Sequence, residues 1–178
     1  MRKIVLTFGL ISGAILSAMM IVSMNFMDQI GFDRGEIIGY TTMVLAFLMV
    51  YFGVRSYRDN VAGGSVTFGR AFKVGLLITI VATLCYVATW EVFYYKFAPD
   101  FGEKYGAHLV EQARQSGATE AQIAAKRLEM KKFADAYRNP LVNIGYTFLE
   151  PMPVGLLAAL VSAGLLSRRR RNATPATA

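Results

Sequence analysis

Apolar positions fall into four long blocks, and charged positions gather between them. The blocks run over residues 4–24, 37–54, 71–95 and 141–166, with very few charges inside. At about 1.5 Å per residue the first block spans roughly 31 Å, close to the hydrocarbon thickness of a bilayer. Nearly uncharged apolar runs of this length predict four transmembrane helices and an all-α fold class. A cleavable leader also opens with basic residues, here Arg2 and Lys3. Its apolar stretch is about 7–15 residues and ends in a small-residue site. Residues 4–24 are longer, and Ser23-Met24-Asn25-Phe26-Met27 offers no such site, so an uncleaved first span is expected. Gly9, Gly13 and Ser17 lie four apart on that span, a spacing read as ordinary close helix packing.

The polar connections differ in length. Asp28 to Glu36 is a short, glycine-containing link before the second span, which ends in Tyr51, Phe52 and Tyr57 at the interface. The stretch from Gly64 to Ala71 nearly matches a phosphate-binding loop, but Arg70 and Ala71 stand where Lys and Ser/Thr are needed. It reads instead as a turn at the membrane surface, with Arg70 and Lys73 reaching the headgroups. Trp90, Tyr94 and Tyr95 close the third span as an aromatic belt. Residues 99–140 are the only sizeable extramembrane segment. They predict a helical hairpin: one helix over 103–115, then a second from Thr119, an N-cap with Gln122 as its capping-box partner, to Arg138. Ile123, Met130, Phe133, Ala134 and Tyr137 recur on one side of the second helix. The hairpin therefore lies on the membrane surface or caps the bundle, and capping is the plainer role. In the fourth span Pro151 and Pro153 each remove a helix hydrogen bond, so a kink is expected near Glu150.

Composition sharpens the class. Hydrophobic residues make up 54% of the 178 and charged residues 17%, against about 25% charged in soluble domains. The net charge of +7 could suggest nucleic acid, but the basic residues sit beside apolar runs, as a membrane protein requires. No nucleic-acid partner is expected; the partners are the lipid bilayer and, as open alternatives, a second copy or another membrane protein. With both termini on one side, that side holds Arg2, Lys3, Arg55, Arg58, Arg70, Lys73 and Arg168, Arg169, Arg170, Arg171, against the single acid Asp59. The other side holds nine basic and nine acidic residues. The basic totals are close, so the dense charge of the short segments decides, and both termini are expected in the cytoplasm. Cys85 is the only cysteine and His108 the only histidine, so no disulfide, metal site or cofactor is expected.

Two acids remain inside the spans, Glu91 and Glu150, and an intramembrane carboxylate is a functional candidate. Counting about twenty residues from Lys73 and back from Ser167 places both about one helical turn inside the outer boundary. One reading is a shared carboxylate site that carries a proton or holds a cation. The other is that each acid meets the interface or a nearby group, with Lys96, Arg138, Tyr94 and Tyr146 available. The shallow Glu91 suits the second reading. Glu150 stays open between the two, because the prolines after it free carbonyls of the preceding turn.

Three stretches carry a family resemblance: Phe68-Gly-Arg-Ala-Phe-Lys-Val-Gly75, the Lys131-Lys-Phe to Asn139-Pro140 end of the outer segment, and Leu149-Glu-Pro-Met-Pro-Val-Gly155 before the basic end. Together they resemble the bacterial four-span membrane proteins catalogued as domain of unknown function 4199. The resemblance implies a bacterial inner-membrane location and this architecture, and transfers no catalytic residues. Residues 1–171 are expected to form one transmembrane domain, and 172–178 a disordered tail. No nucleophile–base set, histidine pair or phosphate loop appears, so a non-enzymatic accessory or interaction protein is the expected function. A small oligomeric transporter or channel using the glutamates is the alternative, and an intramembrane hydrolase comes last.

Overall fold

A computed structural model describes residues 1–167; the basic run Arg168 to Arg171 and the expected tail lie outside the described residues. Within lipid every backbone polar group must be satisfied internally, which forces apolar runs into helices. Four helices are long and apolar enough to cross a membrane: Arg2–Asn25, Phe32–Asn60, Phe68–Phe97 and Pro140–Leu166. In chain order the elements are α1 (Arg2–Asn25), α2 (Met27–Ile30), α3 (Phe32–Asn60), α4 (Phe68–Phe97), α5 (Phe101–Gln115), α6 (Glu120–Tyr137), α7 (Pro140–Leu149) and α8 (Met152–Leu166). No strand occurs among the described residues. The chain belongs to the all-α class, as the long apolar runs predict.

One boundary differs from expectation in a way that matters. The second span starts at Phe32, so Glu36 lies on a helix and not in the connecting loop. Gly31, at φ +77°, ends α2 and opens α3, and Asp33 in the first turn complements the helix dipole. At its other end α3 carries Arg58, whose Nε lies 2.7 Å from Asp59 Oδ1.

The helices α1 and α8 each pack against both α3 and α4, and α3 touches α4 across the middle. Leu10, Val44, Leu84 and Leu157 lie exposed on the outside of the spans, as lipid-facing positions should. The small-residue stripe of α1 does pack closely. A Cβ on Gly9 would lie 2.7 Å from Val81, and one on Gly13 2.6 Å from Cys85. Ser17 donates to the Cys85 carbonyl (3.5 Å) and accepts from Thr89 (2.9 Å). The half of the bundle away from the hairpin is closed. A Cβ on Gly155 would stand 2.3 Å from Thr79 Cγ2 and 2.9 Å from Phe47. The Thr79 hydroxyl reaches the carbonyls of both Gly75 (3.1 Å) and Gly155 (3.2 Å), which ties α8 to α4. Val50, Val54, Val74 and Ile78 fill the space between with no exposed surface.

The hairpin α5–α6 caps the bundle. It turns at Gly117 (φ +82°), and the Thr119–Gln122 capping box opens α6. Gly102 and Gly106 let α5 approach Ala134 and Met130 of α6. The hairpin sits down through aromatic contacts, with ring centroids 4.9 Å apart for Phe101 and Trp90 and 5.7 Å for Phe32 and Tyr105. His108 Nε2 lies 3.0 Å from Asp33 Oδ1, and Arg138 is paired with Glu103. Trp90 and Tyr94 are consequently core residues, 5% and 2% exposed, and not part of an interfacial belt; only Tyr95 keeps that character. The expected break in span four separates α7 from α8 at Glu150 and the fully buried Pro151. Beyond the break the partners change: α8 packs on α3 and α4, whereas α7 packs on α4 and α6.

Candidate functional site

Where α7 parts from α3, a cavity of about 320 Å³ opens between them under the hairpin. Each element supplies its wall for a sequence reason. The last turns of α1 present Met20 and Met24, and α2 adds Met27. Thioether chains fill irregular space without fixing it. Gly35 and Gly39, four apart, leave gaps in the α3 wall between Glu36 and Tyr40, and a Cβ on Gly39 would meet nothing within 4 Å. Phe101 and Tyr105 of α5 and Phe133 and Tyr137 of α6 form the roof.

Two carboxylates line this space, Glu150 at the break in span four and Glu36 on α3. Both keep accessible surface. Glu150 Oε2 accepts a hydrogen bond of 3.1 Å from the Tyr86 hydroxyl of α4, itself a buried residue on the cavity wall. Tyr40, Tyr105, Tyr137 and Tyr146 bring further phenols to the lining. Burial pushes the Tyr137 phenol up to about 12, and burial followed by the charge of Glu36 raises that of Tyr105. Both therefore stay protonated at neutral pH and can donate.

A polar network behind the wall holds Tyr137 in place. Trp90 Nε1 lies 3.0 Å from both Tyr137 Oη and Asn143 Oδ1. Asn143, with no exposed surface, donates to the Tyr137 carbonyl (3.4 Å) and accepts from Thr147 (3.2 Å). Satisfied buried networks of this kind set one geometry for their members.

Of the two acids singled out in the sequence, Glu150 lines the cavity and Glu91 does not. Trp90 points into the hairpin contact, and the next residue is turned about 100° around the helix. Glu91 Oε1 is buried and has no hydrogen-bond partner among the described residues. The carboxylate that shares the cavity with Glu150 is thus Glu36, and the hydroxyl that meets Glu150 belongs to Tyr86. Neither was singled out from the sequence. A signal existed for Glu36, which lies within the Gly35–Gly39 pair; Tyr86 carried none beyond lying four residues before Trp90. Of the suggested partners, Tyr146 lines the cavity and Arg138 pairs with Glu103. Pro151 is buried at the break, and Pro153 sits exposed in the first turn of α8. Arg2, Lys3, Arg55, Arg58, Arg70 and Lys73 all fall on helix ends away from the hairpin.

A family profile described as Protein of unknown function (DUF4199) matches residues 7–168. No curated protein matches the chain, and no solved structure does.

Proposed function

We propose, from the premise that the chain belongs to the DUF4199 family of proteins of unknown function, that it is a non-enzymatic accessory protein of a bacterial inner membrane that holds a small ligand under its hairpin. Both termini lie in the cytoplasm in this reading, and the hairpin faces outward. The support is the short basic segments at the ends of α3 and α4, together with Arg2 and Lys3. The polar groups on the wall are carboxylates, phenols and the hydroxyls of Ser23 and Thr42, which suit holding and orienting a molecule. A second copy or another membrane protein is the partner to which such a subunit would report.

The observation that carries the binding reading is that the cavity has one end. Beyond Pro151 the bundle is filled by Phe47, Thr79 and Ile78 around Gly155, so among the described residues a single copy has no polar path to its other side. A transporter using Glu150 is the second reading, favoured by the placement of that acid on the cavity. Proteoliposomes separate the two. The protein is expected to give no flux of protons or small cations above that of empty vesicles. A flux that Glu150→Gln abolishes while the variant still inserts would establish transport instead.

A further inference from the structure

Resting on the binding reading, we infer that the ligand of this cavity is an organic cation, a small ammonium compound with an apolar body. Its volume of about 320 Å³ corresponds to roughly ten water molecules, which suits a ligand of about that many heavy atoms. The charge on its walls has one sign. Glu36 and Glu150 line it, and no Lys, Arg or His does so among the described residues. A carboxylate facing apolar space is costly without a counter-charge, and the hydroxyl of Tyr86 gives Glu150 a hydrogen bond but no positive charge. An occupying cation supplies it.

The remaining lining selects the kind of cation. Tyr40, Tyr105 and Phe101 bring ring surface to the same space as the two acids. Aromatic faces attract alkylated ammonium groups, which have few or no N–H donors and hold water weakly, the principle of aromatic cages. Metal ions of the Ca²⁺ or Mg²⁺ type want six or more oxygens at fixed distances. Two carboxylates amid methionine and aromatic walls are a poor match for that. A neutral acyl chain would fit the methionines and leave both acids without a counter-charge. The flexible thioethers of α1 and α2 then fit around the apolar body of the ligand without demanding one shape.

The test is calorimetry on the full chain in nanodiscs of zwitterionic lipid, with benzyltrimethylammonium and phenylacetate as ligands of similar size and opposite charge. The emission of Trp90, the only tryptophan, gives an independent signal, because it is bonded to the cavity residue Tyr137. Saturable binding of the ammonium ion and none of the anion is expected. Glu150→Gln, at the acid that Tyr86 holds in place, should weaken it about tenfold and Glu36→Gln about threefold. Gly39→Leu, which fills the cavity without changing its charge, should abolish it, and Glu129→Gln on the far face of α6 should change nothing. If Glu150→Gln does not fold, Glu36→Gln and Gly39→Leu carry the comparison. Equal binding of both ions, lost in Gly39→Leu, keeps the cavity as a binding site and overturns the cation. Binding of neither ion overturns both readings, as does cation binding that Gly39→Leu leaves intact.

Discussion

A carboxyl oxygen of Glu91 is buried with no hydrogen-bond partner among the described residues, and leaving such a group unsatisfied costs about 1–3 kcal/mol. Glu91→Leu is therefore expected to raise the thermal midpoint of the protein in detergent micelles, by an amount worth about 1 kcal/mol or more. A clear loss of stability would mean that the acid is satisfied by something outside the single chain, such as a second copy. The same residue shows what a sequence can and cannot supply at this scale. Distance from a flanking charge locates a residue along the bilayer normal, so Glu91 and Glu150 could be placed at a common depth. Which neighbour each faces depends on helix phase and on the packing partners of that phase. Trp90 and Tyr86 occupy the inward phase of α4 and leave Glu91 turned from the cavity.

Among the elements, the hairpin is held chiefly by rings. Phe32, at the start of α3, meets Phe101, Tyr105 and His108, with the centroid of His108 at 5.1 Å. Such pairs contribute about 0.5–1.5 kcal/mol each beyond the area they bury. Phe32→Ala should loosen α5 and α6 by about 1–3 kcal/mol. Hydrogen exchange would show this as faster exchange over Phe101–Tyr137 with α4 unchanged; equal protection in variant and wild type would refute the docking role. The hairpin's own helices were legible because their signals are local: Thr119 with Gln122 caps one end, and the glycine turn ends the other. Their docking was not, since nothing in Trp90 or Tyr94 distinguishes a ring at the lipid surface from a ring beneath a covering helix.

For the molecule as a whole, orientation is open to direct measurement. In a Cys85→Ser background, Ser116→Cys at the hairpin turn should react with a membrane-impermeant maleimide added to intact cells, and Asn60→Cys at the end of α3 should not. The reverse pattern would invert the assignment. The four spans could be read from the sequence because lipid admits few alternatives to the uninterrupted helix. The cavity could not, because no single segment encodes it. It exists where α7 departs from the course of α8, beside a stretch of α3 in which Gly35 and Gly39 leave gaps between larger residues.

That departure has a bearing on how the chain enters the membrane at all. At about 1.5 Å per residue α7 covers roughly 15 Å and α8 roughly 22 Å, each short of the ~30 Å needed to cross. The insertion machinery can integrate them only as one length. They are one length because Glu150 (φ −59°, ψ −55°) and Pro151 (φ −81°, ψ −13°) keep to the helical region despite the missing hydrogen bonds. Were that joint to fold back, the segment would re-enter as a hairpin, and Ser167 would emerge on the side from which Pro140 set out. The backbone angles of two residues thus decide on which side of the membrane Ser167 emerges.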